Sequence, residues 1–188
     1  MDIIEAIHTR RSIGRVKEDP IAKEQIETIL EAGIWAPNHR LTQPWRFFVM
    51  SGDGRNRLGD AYARIALEAA QEPDSEENVK KAESARQKAF RSPVVIGVGV
   101  EPSDAKGVVE LEEYGAVFAA IQNMLLATHA LGLGAVWRTG DPCFHPLMNE
   151  SFGLRPQDKM LGFIFLGVPD LQPQGRRESA ASKTEWIE

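Results

Sequence analysis

The chain has 188 residues, of which 43% are hydrophobic and 26% are charged, and these values are ordinary for one folded domain. Its formal net charge of −5 argues against a protein that binds nucleic acid over a broad surface, but not against a local basic pocket for one phosphate. Cys143 is the only cysteine, so an intrachain disulfide is excluded and a reducing cytoplasm is favoured. The composition predicts a single domain over residues 1–188.

Neither the N-terminus nor the longest apolar stretch predicts a secretory or membrane segment. The first residues include Asp2 and Glu5 and lack the basic segment and apolar core of a signal peptide. The stretch 115–133 is interrupted by polar residues, among them Gln122 and His129, and is short for a membrane span. We therefore expect a cytoplasmic protein without a membrane partner.

Apolar periodicity, prolines and glycines predict a layered arrangement of helices and strands. In chain order, the predicted elements are a short helix after Asp2, a helix from Pro20 to near Pro37, a strand over 46–50, helices over 55–71 and 75–91, a strand over 93–100, a helix over 110–131, a short strand from Ala135, a short helix from Pro142 to Phe152, and a strand over 160–168. No periodic element is evident after Pro169. This mixed order indicates an α/β or α+β layered fold.

Three of these elements carry further information. The strand over 93–100 is a run of Val, Ile and Gly, which predicts a strand covered on both faces. The helix over 110–131 is apolar around nearly its whole circumference, so we expect a second copy of the chain to cover part of it. The helix over 75–91 is heavily charged and forms either a solvated surface or a lid over a pocket.

The common nucleotide and metal motifs do not match this chain. Gly97-Val98-Gly99 lacks the third glycine and the following helix of a dinucleotide fingerprint. Gly132-Leu133-Gly134 lies at the end of a predicted helix and is better explained as a helix C-cap. The four histidines show no ligand spacing, so no metal site is predicted.

Three blocks of the sequence suit a phosphorylated cofactor. Arg10, Arg11 and Ser12 place two fixed positive charges beside a hydroxyl. Residues 36–45 form a polar loop that runs into a strand, and residues 135–140 end a short strand in a glycine turn. Each block alone is also explained by ordinary structure: paired surface arginines, a polar turn between prolines, or a buried tryptophan beside an ion-paired arginine. Their presence in this order in one short chain favours a shared site.

In these blocks the chain resembles the flavin-dependent nitroreductase family, in particular its short, single-domain bacterial NAD(P)H nitroreductases. The resemblance extends from about Met1 to Val168 and is looser in the tail. It implies an α+β fold, a three-layer α-β-α sandwich with a mixed central sheet. It also implies an intertwined homodimer that binds FMN at each of two subunit interfaces.

The resemblance implies that the first block binds the phosphate end of the cofactor. Arg10 and Ser12 hold the phosphate and the ribityl chain, and Arg11 lies beside them. Arg176 or Arg177 supplies a further phosphate contact from the tail.

The other two blocks reach the flavin ring. Asn38 and His39 approach from the other subunit in a loop shaped by Gln43, and residues 137–140 line the isoalloxazine with a backbone N–H facing N5. Many relatives have small serines in that loop, so the polar residues of this chain suggest a narrower or different substrate pocket. The implied cofactor-binding residues are Arg10, Arg11, Ser12, Trp35, Pro37, Asn38, His39, Gln43, Trp137, Arg138, Thr139, Gly140 and Arg176.

The implied activity is electron transfer from NADH or NADPH through FMN to a small-molecule acceptor, by a ping-pong hydride mechanism. Nitroaromatics, quinones and enones are the candidate acceptors. Because FMN carries the chemistry, we expect no catalytic side-chain acid or base. Two alternatives stay open. One is a flavin-binding or flavin-processing protein that does not turn over NAD(P)H. The other is an interaction module that uses the basic residues near the N-terminus, against which the acidic balance argues.

Overall fold

The computed structural model describes all residues from 1 to 188 and contains seven α-helices and four β-strands. The helices are α1 (Ile3–Thr9), α2 (Lys23–Ile34), α3 (Asn56–Glu68), α4 (Glu76–Gln87), α5 (Glu110–Ala130), α6 (Asp141–Phe144) and α7 (Pro146–Phe152). The strands are β1 (Trp45–Ser51), β2 (Val94–Val100), β3 (Gly134–Arg138) and β4 (Lys159–Gly167). Short 3-10 turns lie at His39–Leu41, Gly52–Arg55, Lys88–Phe90 and Ala180–Lys183. The predicted order of elements is confirmed with bounds that shift by a few residues, except that the helix predicted from Pro142 to Phe152 is divided into α6 and α7 at the extended His145.

Side-chain caps explain where several helices begin. The Asp2 carboxylate accepts a hydrogen bond from the Glu5 N–H at 2.8 Å at the start of α1. The predicted start of α2 at Pro20 is wrong. Ala22 is extended, with ψ of 141°, and its N–H donates to the Gln25 side chain at 3.3 Å, so the helix begins only at Lys23.

The four strands form one sheet in the order β1-β2-β4-β3, and every neighbouring pair is antiparallel. The resemblance implies a mixed sheet, but the four strands are all antiparallel to their neighbours. The single parallel pairing is an isolated bridge between Ser12 and Ala135. A second, antiparallel bridge joins Val16 to Pro169. The segment after α1 therefore contacts the beginning of β3 and then the residues that follow β4.

Helices cover both faces of the sheet, as the predicted three-layer fold requires. One core cluster joins Ile29 of α2 and Ile121 of α5 to Ile96 of β2. The other joins Leu58 of α3 and Phe152 of α7 to the opposite side of the sheet. All seven residues of β2 are buried, as its unbroken apolar sequence predicts.

A substantial apolar surface stays uncovered in the single chain. Leu111 of α5 is 79% exposed, and Phe118 of the same helix is also exposed. In the tail, Trp186 is 86% exposed and Ile187 is exposed beside it. The outer edge of β1 has no strand partner. These features suit a second protein surface, because large apolar patches are uncommon on monomers and an unpaired edge strand can pair with another chain. No helix is both long and apolar enough to cross a membrane.

Candidate cofactor site

Three arginines gather where α1 ends and the C-terminal tail returns to it. The pKa of Arg10 is lowered from its ordinary value, first by burial and then by the charges of Arg177 and Arg11. Arg11 Nη1 donates to the backbone oxygens of His8 and Arg10 at 2.7 and 2.8 Å, and its buried Nε has no hydrogen-bond partner. The arginines that pair with carboxylates all lie elsewhere. A partly buried cluster of like charges with an orphaned donor has the features of an anion site.

The tail packs closely against this cluster. A Cβ at Gly175 would overlap the guanidinium of Arg11, so the glycine lets the backbone pass while Arg11 keeps this position. Arg177 follows two residues later, and its Nη1 donates to the Arg176 carbonyl oxygen at 2.7 Å. Arg176 and Arg177 are the two candidates for the tail's phosphate contact. The charge of Arg177, and not that of Arg176, lowers the pKa of Arg10.

The N-terminal block is tied to the edge of β3. The Ile13 N–H donates to the Ala135 carbonyl at 2.8 Å, next to the parallel bridge made by Ser12. Arg10 and Arg11 line a narrow cleft with Leu133 at the beginning of β3. From there to Thr139 the strand advances about 20 Å, at about 3.3 Å per residue. The strand thus has a basic cluster at one end and the predicted ring-binding segment at the other.

The far end of β3 opens into a cavity of about 710 Å³. Three cations line it, Lys88, Arg91 and Arg138, and none of its lining residues is a carboxylate. Most of the other lining residues are apolar, among them Ile65 and Phe165. A mainly apolar chamber with converging positive charge suits a flat aromatic group that gains negative charge.

Arg138 faces this cavity with unused hydrogen-bonding capacity. Its Nε is buried and has no partner, and its guanidinium carbon lies 5.6 Å from the centroid of the Phe165 ring. A Cβ built at Gly14 would lie 3.3 Å from Arg138 Nη2. Because glycine has no side chain, the guanidinium of Arg138 can pack closely on the N-terminal segment.

Trp137 points to the other side of the sheet, since side chains alternate along a strand. Its Nε1 donates to the Leu161 carbonyl at 3.2 Å, and its ring lies 5.8 Å from that of Phe118. A Cβ at Gly162 would overlap the indole, which accounts for glycine with φ of 136° at that position. The Trp137 side chain thus belongs to the layer of α5, and its backbone lines the cavity.

Two further polar groups of the cavity are held neutral. Burial raises the pKa of the Tyr62 hydroxyl well above its ordinary value; the Cys143 thiol raises it further, while Arg138 and Arg91 oppose the shift. Burial raises the pKa of Cys143 to about 11, so the thiol is protonated and unreactive near neutral pH.

The polar loop lies at the other edge of the sheet. It leads into β1, and three strand spacings, or about 14 Å, separate β1 from β3. Asn38 Oδ1 accepts the Gln43 N–H at 3.0 Å, while the exposed Trp35 indole donates to Glu31 at 3.1 Å. Pro37 and His39 flank Asn38 in the chain, and both are exposed. Within one chain, no side-chain hydrogen bond joins this loop to the arginine cluster or to the cavity.

Comparison with known proteins decides the family. The sequence model of the Nitroreductase family matches residues 7–168. A protein of Escherichia coli strain K12, named "Putative NAD(P)H nitroreductase YdjA", is 36% identical over 172 residues, covering 92% of this chain and 91% of that protein. The chain belongs to the nitroreductase family. That family consists of FMN-dependent oxidoreductases, so the enzyme class expected from the sequence is confirmed.

Solved nitroreductase-like structures share the whole fold. A nitroreductase-like protein from Bacillus cereus superposes with a TM-score of 0.85 at 29% identity, covering 100% of this chain and 97% of that one. A nitroreductase-type protein from Desulfovibrio desulfuricans, solved in complex with FMN, has a TM-score of 0.70 at 28% identity, with 100% and 98% covered. The nitroreductase match ends at Val168, so Arg176 and Arg177 lie outside it.

Sequence reasoning missed three polar residues of the nitroreductase cavity: Tyr62, Lys88 and Arg91. Lys88 and Arg91 lie at the end of the charged segment 75–91. Among so many charged residues, the sequence does not distinguish these two from those exposed to solvent. A signal was nevertheless present, because small residues recur there at helical spacing. Ala82 and Ala89 are buried, and Ala85 lines the cavity. The segment is thus a wall of the cavity on one face and a solvated surface on the other.

Proposed function

We propose that this chain binds FMN along β3 and passes electrons from NADH or NADPH to a small-molecule acceptor in a ping-pong cycle. The observation that carries the proposal is the cluster of Arg10, Arg11 and Arg177, which has no carboxylate partner and an orphaned buried Nε. A phosphate would satisfy both the charge and the open donor. Nitroaromatics, quinones and enones are the proposed acceptors.

At the phosphate end, Arg10 and Arg177 would supply charge-assisted hydrogen bonds, and Arg11 Nε would gain the acceptor that it lacks. Ser12 follows them in the chain and bridges to the edge of β3, and its hydroxyl would contact the ribityl chain. We choose Arg177 over Arg176 for the tail contact because only its charge acts on Arg10.

At the ring end, FMN when bound supplies the hydride chemistry. The chain's own contribution is to bind, orient and stabilise charge. Arg138, Lys88 and Arg91 would offset the negative charge that reduction places near the N1–C2 edge, and this would raise the reduction potential. Gly140, with φ of 120°, turns the backbone after Thr139 so that an N–H can face N5.

The proposed site needs two chains. Asn38, His39 and Gln43 lie near the opposite edge of the sheet from the arginine cluster, so we propose that they reach the flavin of a partner subunit. Trp35 and Pro37 precede them on the same exposed segment. The exposed apolar residues of α5 and of the tail, together with the free edge of β1, support an intertwined homodimer. The 188 residues would then form one FMN-binding domain per subunit, in the cytoplasm where NAD(P)H is available.

A spectrum of the purified protein tests this proposal. We expect a yellow protein, with or without added FMN, that loses its visible absorbance when NADH or NADPH is added without oxygen. A protein that binds no FMN would overturn the proposal. A yellow protein that neither nucleotide bleaches would favour a flavin-storing or flavin-processing role instead.

A further inference from the structure

The loop 38–43 has a strained backbone conformation, although the Asn38 side chain and the Thr42 hydroxyl form hydrogen bonds within the loop. Arg40, Leu41 and Gln43 have φ of 56°, 54° and 51°, in the left-handed region that non-glycine residues rarely adopt. Each such residue costs free energy, and such strain persists only where the surroundings impose it. Leu41 is exposed to solvent, so its own burial does not supply that constraint.

A buried carboxylate supplies a constraint from outside the loop. Glu113 lies in the first turn of α5, only 1% exposed, and its Oε1 accepts the Thr42 hydroxyl at 2.6 Å. Its Oε2 accepts the Ser103 N–H at 3.2 Å. No lysine or arginine forms an ion pair with it, and its place in the first turn of α5 puts it near the positive end of the helix dipole. A buried charge held by only two donors is costly unless both bonds are kept.

The two segments that Glu113 holds also support each other. Ser103 belongs to the segment between β2 and α5, and Gly107 lies in the same segment. A Cβ at Gly107 would lie 3.0 Å from the Arg40 guanidinium, so the loop packs closely against this segment. Glu113 is thus the common point that holds the loop and the surface on which it rests.

We propose that Glu113 is a positioning residue that, through Thr42, holds the loop 38–43 ready for the flavin of the partner subunit. The inference rests on the proposed function for the identity of the ligand. The positioning itself rests on the contacts within one chain. Without the Thr42 bond the loop samples other conformations, and only the remaining competent fraction binds FMN tightly, which raises the apparent dissociation constant.

A pair of Thr42 variants tests whether the hydrogen bond from Thr42 to Glu113 holds the loop. We call this hydrogen bond the clamp. Thr42→Val keeps the shape but removes the hydroxyl, whereas Thr42→Ser keeps the hydroxyl and should restore the wild-type behaviour. Thr28→Val is the matched control, since Thr28 donates to the Glu24 carbonyl at 2.8 Å on an exposed face of α2. By fluorescence titration, Thr42→Val should raise the FMN dissociation constant on the order of tenfold, as expected for one lost bond to a charged group.

Hydrogen exchange in the FMN-free protein gives a readout independent of the cofactor. In Thr42→Val, the Gln43 and Ser103 amides should exchange faster than in the wild type, while Thr42→Ser and Thr28→Val leave them unchanged. Unchanged exchange in Thr42→Val would overturn the clamp, whether or not the protein binds FMN. Wild-type protein that binds no FMN would instead defeat the proposed function and leave the exchange result to decide the clamp.

A mixed dimer tests the action across the interface. One chain carries Thr42→Val and its partner carries Arg10→Met, and differently tagged copies are co-expressed and purified by both tags. If the loop serves the partner's flavin, one site combines an intact arginine cluster with an intact loop. The mixed dimer then binds one FMN with wild-type affinity. If neither site regains that affinity, the loop does not act on the partner's flavin.

Discussion

Replacing Arg10 should move cofactor affinity and apoprotein stability in opposite directions. Arg10→Met keeps the apolar stem and removes the charge. Because burial and two neighbouring arginines lower the pKa of Arg10, folding disfavours its charged form, and its removal should stabilise the FMN-free protein. The same change removes a charge-assisted bond to phosphate, worth about 1.5–3 kcal/mol. At about 1.4 kcal/mol per factor of ten, FMN affinity should fall roughly 10- to 150-fold.

Riboflavin separates the phosphate contact from every other effect. It has the same ring and ribityl chain as FMN but no phosphate, so Arg10→Met should weaken FMN binding and leave riboflavin binding almost unchanged. Flavin fluorescence titration measures both, and thermal unfolding of the apoprotein measures the change in stability. Arg15→Met is the control, because Arg15 pairs with Asp170 at 3.0 Å on the surface. Equal losses for FMN and riboflavin, or an apoprotein less stable than the wild type, would refute the assignment of Arg10.

Three further predictions concern the tail, the dimer and the buried thiol. Arg177→Met should weaken FMN binding more than Arg176→Met does, by fluorescence titration; the reverse order would favour Arg176 as the phosphate contact. Phe118→Asp should shift the protein toward monomer in sedimentation and reduce FMN retention, whereas Val79→Asp on α4 should do neither. A wild type that is monomeric with FMN bound would contradict the two-chain site. Because burial raises the pKa of Cys143 to about 11, from an ordinary value of about 9, the folded state keeps a proton that the unfolded state loses. Stability should therefore fall between those pH values, and thermal unfolding of Cys143→Ala should show less of that fall.

The sequence predicts best those elements whose neighbours along the chain determine them. The apolar run of β2 indicates burial on both faces, and the structure confirms it. The start of α2 was misplaced because Pro20 is a weaker signal than the extended Ala22 and the side chain of Gln25. The arginine at the far end of the chain is harder to place, since the tail has no periodicity, and its approach to Arg10 depends on tertiary packing around Gly175.

The same limit applies to the candidate site. The three sequence blocks suggest one site, but spacing along the chain cannot tell whether they meet within one subunit. The strand order adds what the spacing lacks, because it places β1 and β3 at opposite edges of the sheet. Glu113 could not be singled out either, because a glutamate in the first turn of a helix is ordinary, and its contacts with Thr42 and Ser103 exist only in the folded chain.

Three features of the single chain are energetically unfavourable, and one assembly would relieve them together. The arginine cluster brings like charges together, the apolar residues of α5 and of the tail are exposed, and the backbone of the loop 38–43 is strained. If a partner chain covers the apolar surface and brings its loop to an FMN bound on β3, then binding of FMN and association of the chains are thermodynamically linked. The unfolding temperature should then rise with protein concentration and with FMN concentration, and FMN should strengthen association. A dimer whose association is indifferent to FMN would mean that the loop contributes nothing to the partner's site.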